Sequence, residues 1–174
     1  MTNRIYLKKF ATYTDFSDYY LLVSNEQVMA MVTERGLSME EATAEFETLL
    51  KKNEKYPDFG RFKIFDSATH QFIGLGKMDL SDSVAGEAEL GYLLLPEYWG
   101  KGYGTEIAKH LMALAEATPF LHKITAIIDP ANAGSRKILI NQGFVSEYLG
   151  EIEGLPGEIL AKKIKREVIS GPTN

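Results

Sequence analysis

A chain of 174 residues with 45% hydrophobic content has room for one domain with a sizeable core, and nothing calls for a second. Zero cysteines exclude a disulfide framework, a thiolate zinc site and a cysteine nucleophile, while a formal charge of -5 argues against a nucleic-acid surface and favours an amine partner. No apolar run approaches the ~18 residues of a membrane span and the opening Met1-Thr2-Asn3-Arg4-Ile5 lacks a signal-peptide core, so the expectation is a cytoplasmic protein with no membrane partner.

The elements alternate without repeats. Arg4 to Phe10 reads as a strand and Tyr13 to Ser24 as a helix capped by Thr14 or Asp15. Ser38-Met-Glu-Glu41 is a capping box opening a helix that runs to about Lys52, with Met39, Ala42, Phe46, Leu49 and Leu50 as its inner stripe. Arg61 to Phe65 and Gln71 to Leu80 form two strands around the short Asp66-Ser-Ala-Thr69 loop, a hairpin signature, and Ala88 to Leu95 joins them. After a glycine turn, Ile107, Leu111, Leu114 and Ala115 recur at helical spacing, and this helix stops before Pro119. Lys123 to Ile128 is a β-branched strand. Asn132 can cap a helix ending near Gln142, with Gly143 as its left-handed exit, and Phe144 to Ile152 and Glu158 to Ile164 close the chain as a strand pair. The fold class is α/β: a mixed, mostly antiparallel sheet flanked by helices, with one parallel step around the helix at 105 to 117.

Trp99-Gly100-Lys101-Gly102-Tyr103-Gly104-Thr105 lies between the apolar run Leu90 to Leu95 and that helix. Glycines remove the side chains that keep a ligand from the backbone, and the first amides of a helix have no intrahelical acceptor and carry about half a positive charge, so a phosphate is their natural partner. Glycine-rich turns between strand and helix also occur with no ligand. The even spacing fits neither a Walker A loop nor the G-x-G-x-x-G dinucleotide fingerprint.

The run Glu89-Leu-Gly-Tyr-Leu-Leu-Leu-Pro-Glu-Tyr-Trp-Gly-Lys-Gly-Tyr-Gly-Thr-Glu106, with Asp129-Pro-Ala-Asn132-Ala-Gly-Ser135 and Asn141-Gln-Gly143-Phe144 after it, resembles the GNAT superfamily of N-acetyltransferases. Arg4-Ile-Tyr-Leu and Ser38-Met-Glu-Glu41 extend the likeness, which is greatest to the RimJ/RimL-type branch, over residues 1–168, with 169–174 as a short tail. The resemblance implies a single GNAT domain whose sheet splays into a V, acetyl-CoA as cosubstrate with no metal, and direct transfer to an amine in a ternary complex. Leu93, Leu94, Leu95, Trp99, Gly100, Lys101, Gly102, Tyr103, Gly104, Thr105, Asn132, Ser135 and Lys137 are the implied cofactor-binding residues, Trp99 standing at the family's Gln/Arg position.

Amine attack on a thioester needs a base, because an alkylamine with a pKa near ~10 is mostly protonated at neutral pH. Glu89 is the candidate, since strand alternation sets it on the face of Gly91, Leu93 and Leu95; Glu87 shares that face, and a solvated strand end is the competing reading. The resemblance implies an oxyanion donor at the amide of Leu94 or Leu95. The tyrosine that many relatives supply four residues before the Gly-Phe pair is Leu139 here, which makes Ser135 the candidate proton donor, unless it only helps Asn132 start a helix. Arg136 or Lys137 could meet a phosphate of CoA. Phe16, Tyr19, Tyr20, Phe46 and Tyr56 could pack core or wall the acceptor pocket, and His70, His110 and His122 are too scattered for a metal site. The acceptor is a peptide N-terminus or a small amine, the protein a monomer or homodimer. Should Glu89 and Ser135 be only structural, the chain is a CoA-binding sensor or scaffold without turnover.

Overall fold

The computed structural model describes residues 3–166, so the expected tail at 169–174 lies outside the described residues. Seven strands form one sheet in the order β1-β2-β3-β4-β5-β7-β6: β1 Ile5–Lys9, β2 Gly60–Asp66, β3 Phe72–Leu80, β4 Glu87–Leu94, β5 Lys123–Ile128, β6 Val145–Ile152 and β7 Leu155–Lys163. Every neighbouring pair is antiparallel except β4 and β5, the pair joined through the long helix α4, Tyr103–Glu116. The expected mixed sheet with a single parallel step is the observed one.

Helices cover both faces. On one side α4 packs Ile107 and Leu111, both fully buried, against Ile64, Met78, Leu90 and Ile124 of the sheet, and α5, Ala133–Asn141, adds Leu139. On the other, α1 (Phe16–Val23), α2 (Glu26–Met29) and α3 (Met39–Lys55) bury Tyr19, Leu22, Val28, Ala42 and Phe46 against Leu75 and Leu95. Each fully buried large aliphatic side chain contributes about 1.5–3 kcal/mol before the entropy of ordering it. The α3 capping box forms as read: Ser38 Oγ accepts the Glu41 amide at 3.1 Å and Glu41 Oε1 accepts the Ser38 amide at 3.1 Å.

Four local readings differ from the structure, the simplest being Met39, read as inner stripe but 53% exposed at the first position of α3. The first helix is a 3₁₀ turn at Tyr13–Asp15 running into α1, and the Asp15 carboxylate reaches back to the amides of Ala11 and Thr12 at 2.9 and 3.3 Å. The one-turn α2 was not expected; Asn25 Oδ1 caps it by accepting from Gln27 and Val28 at 2.9 and 3.1 Å. The last strand starts at Leu155 rather than Glu158, because Glu153 and Gly154 (φ 51° and 82°) make a two-residue hairpin turn whose positive-φ backbone matches the right-handed twist of the strands and keeps β6 and β7 paired to its edge.

Candidate active site

The site begins where the sheet comes apart. The parallel ladder between β4 and β5 holds only Glu87, Ala88 and Glu89 against Lys123, Ile124 and Thr125. Beyond Glu89, β4 stays with β3 as far as Leu94 while β5 stays with β7 as far as Ile128, so the two arms diverge and leave a groove. The chain turns out of β4 through Pro96 into the glycine segment, and α4 starts at the groove's edge.

The glycine turn has the conformation anticipated for it. Gly100 and Gly102 sit at φ 68° and 84°, and a Cβ on Gly100 would meet nothing within 4 Å. Gly102 is the N-cap of α4 and offers no side chain to its amides, and the first backbone bond of the helix is from Glu106 to the Gly102 carbonyl at 3.2 Å. The amides from Tyr103 to Thr105 are thereby left to face the groove. Gly104 lets α4 approach β4 and α5, since a Cβ there would lie 3.0 Å from Ile138 Cδ1 and 3.3 Å from the Tyr92 ring. Arg4 braces the turn from outside: Nη1 donates to the Lys101 carbonyl at 3.1 Å, Nε holds Glu106 Oε2 at 2.9 Å, and the guanidinium lies 4.3 Å from the Tyr103 ring centre. The one acidic side chain of the α4 first turn is thereby held on Arg4.

Two connected chambers make up the groove. The larger, about 700 Å³, is walled by the glycine turn, Leu93, Leu94, Trp99, Asn132 and Ser135, and also takes in Tyr103 and Thr105. The smaller, about 280 Å³, runs through the splay and shares Val28, Met31, Tyr92, Leu93, Asn132 and Ser135 with the first. Of the predicted cofactor residues, ten therefore line one chamber: Leu93, Leu94, Trp99, Gly100, Gly102, Tyr103, Gly104, Thr105, Asn132 and Ser135. The exposed side chains of Lys101 and Lys137 stand outside its walls.

Leu95 drops out. Its amide donates to the Ile73 carbonyl at 2.9 Å and its side chain is buried in the α1–α3 core. That bond also sets the phase of the β3–β4 ladder: the amides of residues 93 and 95 address β3, and the Leu94 amide addresses the edge that β5 has left. The Leu94 carbonyl is taken by the Trp99 indole N–H at 2.8 Å, which ties the glycine turn to the strand end.

Glu89 sits at the last paired rung rather than in either chamber. Lys77 Nζ donates to its Oε1 at 2.6 Å, and it is Lys77 that lines the smaller chamber. A carboxylate that sequence reasoning passed over, Asp129 at the end of β5, is in that wall, with Oδ1 accepting the Ala131 amide at 2.8 Å.

Ser135 stands in the first turn of α5 with its side chain at the chamber wall. Its amide is capped by Asn132 Oδ1 at 3.1 Å, and its hydroxyl accepts from Tyr92 Oη at 3.2 Å. Tyr92 was not anticipated; it brings a phenol into the groove, and burial pushes that phenol above the ordinary tyrosine range, with the Ser135 hydrogen bond offsetting part of the rise. A protonated phenol that donates to Ser135 leaves the serine hydrogen free to point onward. Arg136 is committed elsewhere, its Nε donating to the buried Glu158 at 2.8 Å.

The five aromatic residues weighed for an acceptor pocket line neither chamber. Tyr19 and Phe46 are buried, Phe16 and Tyr20 pack on the same α1–α3 core, and Tyr56 packs on the α4 side. Val28, Met31 and Val32, on and after α2, take the wall position. His70, His110 and His122 bond separately to Tyr6, Asn3 and the Ala85 carbonyl at 3.1, 2.8 and 3.2 Å. Among the described residues no helix is long and apolar enough to cross a membrane.

Residues 4–145 match the family model described as acetyltransferase (GNAT) domain. Among curated proteins, an uncharacterized N-acetyltransferase p20 of Bacillus licheniformis is 34% identical over 89 residues, 51% of this chain and 50% of that protein. A probable N-acetyltransferase YjcK of Bacillus subtilis (strain 168) is 31% identical over 104 residues, 59% and 55%. The match thus spans about half the length of each of these relatives. Among solved structures, spermidine N-acetyltransferase from Vibrio cholerae in complex with CoA and spermine superposes with a TM-score of 0.76 at 20% identity, covering 94% of this chain and 97% of that one, which is a likeness of fold.

Proposed function

This chain belongs to the acetyltransferase (GNAT) family, and from that premise we propose that its groove moves an acetyl group from acetyl-CoA to a primary amine by direct attack in a ternary complex. The observation that carries the reading is the uncapped start of α4 beside a strand whose outer edge has lost its partner. Free amides at Tyr103 to Thr105, a turn with no Cβ at 100, 102 and 104, and an open ~700 Å³ chamber suit a diphosphate followed by an extended amide-bearing arm. That the similar V. cholerae structure holds CoA supports this, and the Trp99-Gly-Lys-Gly102 and Asn132-x-x-Ser135 pairs support a place in the RimJ/RimL-type branch.

Acetyl-CoA brings the acetyl group as a thioester, and the balance is simple: a C–N bond forms, the C–S bond breaks, the amine gives up a proton and the leaving sulfur gains one. Leu94 offers its outward amide to the carbonyl oxygen. Ser135, held by the Tyr92 phenol, presents a hydroxyl proton to the sulfur. Glu89 is the proposed base, acting through the oxygen that Lys77 does not hold, and Asp129 competes for the role because it stands in the chamber wall. Glu89→Gln and Asp129→Asn, compared over pH, decide between them: the variant that loses the acid limb of the kcat profile has lost the base.

Thiol release from acetyl-CoA is the direct test, run across N-terminal peptides and small amines beside calorimetry with CoA. A second reading, a CoA-binding sensor of the same fold, draws on the capture of Glu89 by Lys77 and on Leu139 at the tyrosine position. Binding without turnover on any amine selects it; turnover selects the transferase.

A further inference from the structure

Arg61 of β2 and Lys77 of β3 are direct cross-strand partners, and Lys77 is in turn opposite Gly91 of β4. Two like charges facing across a ladder destabilise it. The sheet offsets them one rung on, where Asp79 and Glu89 are also partners: Arg61 Nη2 lies 3.5 Å from Asp79 Oδ2 and Lys77 Nζ 2.6 Å from Glu89 Oε1. The row Arg61-Lys77-Gly91 points at the mouth of the V, one step past the last β4–β5 rung, and the missing side chain at Gly91, whose Cβ would press within 3.2 Å of Lys77 Cε, leaves the cations open to the smaller chamber.

The Arg61–Asp79 pair is also short of partners. Among the described residues the guanidinium makes no hydrogen bond, and the buried Asp79 Oδ1 has none either. The backbone beneath Arg61 is fixed, because Asn53 accepts its amide at 2.8 Å and donates to its carbonyl at 2.8 Å. A held guanidinium with unspent donors is built for bidentate capture of a carboxylate. Across the gap, on the other arm, the one charged wall residue is Asp129, while Val28, Met31 and Val32 make the wall between them apolar.

We propose that the smaller chamber is an acceptor site for free amino acids with apolar side chains, in which Arg61 and Lys77 take the carboxylate and the amine is turned toward Asp129 and the thioester. The proposal rests on the transferase reading and narrows it: a polyamine brings no carboxylate to the unspent donors of Arg61, and a protein N-terminus lacks the adjacent carboxylate. About 280 Å³ accommodates a molecule of this size.

The test is a matched pair of acceptors with the full chain: leucine against isoamylamine and phenylalanine against phenethylamine, with spermidine alongside. The amino acids should show kcat/KM at least about tenfold above their decarboxylated partners, the share of one charge-assisted contact, carried mainly by KM. In Arg61→Gln that ratio should fall toward one. Should this variant fail to fold, Lys77→Gln reads the same ratio. Equal or better turnover of isoamylamine or spermidine, or a ratio untouched by loss of either cation, overturns the acceptor proposal alone. CoA binding by calorimetry with no turnover of any amine overturns the transferase reading and this proposal with it.

Discussion

Two helices begin at the same groove and finish their first turns differently. At α5 the side chain of Asn132 accepts the Ser135 amide at 3.1 Å, so the helix supplies its own cap and spends that amide. At α4 the N-cap is Gly102, no side chain bonds the amides, and Glu106, which could have faced them, is held by Arg4. On the proposed function the difference is how a helix start stays available to a ligand: the residue types that normally complete it are left out, and the nearest acid is held on Arg4.

The largest effect is expected from placing an acid at the start of α4. Gly102→Asp brings a negative charge to a left-handed position (φ 84°) whose Cβ would lie 3.3 Å from Arg4 Nη2, straining the turn and opposing an anion, and CoA affinity by calorimetry should fall by about 100-fold or more. Native affinity in a folded Gly102→Asp would end the contrast between the two helices. Next in size is the chemistry at the α5 start: Tyr92→Phe should lower kcat by about 10-fold and Ser135→Ala by more, with the KM for acetyl-CoA little changed.

Smaller effects are expected on stability at the two helix starts that carry a side-chain cap. Asn132→Ala should cost about 1 kcal/mol, a fall in Tm of about 2–4 °C by calorimetric scan. Ser38→Ala at α3 should cost the same while leaving CoA affinity and kcat alone, and a change in either would tie α3 to the site. Smallest is a pH effect at that box. The Arg35 guanidinium and then the Ser38 amide hold the Glu41 carboxyl down to about 2. A carboxylate depressed in the folded state stabilises fully above its unfolded value and loses that contribution as pH falls through the folded one. Chemical denaturation from pH 6 to pH 2 should therefore show a loss that Glu41→Gln reduces.

Much of this was readable from local chemistry. All seven strands, α3 and α4 follow from periodicity and caps, and the glycine turn from three residues that leave backbone exposed. What the sequence hid were relations over distance. Tyr92 gains meaning only from Ser135, 43 positions later, and Arg4 only from Lys101 and Glu106. Asn25 before Glu26 was the available signal for α2, but one turn is too short for a periodic pattern. Alternation assigned Glu89, Gly91 and Leu93 to one face correctly, yet a face does not say which rung ends the ladder, and Glu89 fell on the closed side of it.

By itself, then, the chain determined its longer elements, the caps of α3 and α5 and the bare backbone at residues 100 to 104, because these depend on neighbours within a turn or two. Where β4 and β5 part, which amide of β4 faces the gap and which carboxylates reach it were decided only in three dimensions. Strand pairing is a bond between segments far apart in sequence, and its last rung is set by everything packed on both arms at once.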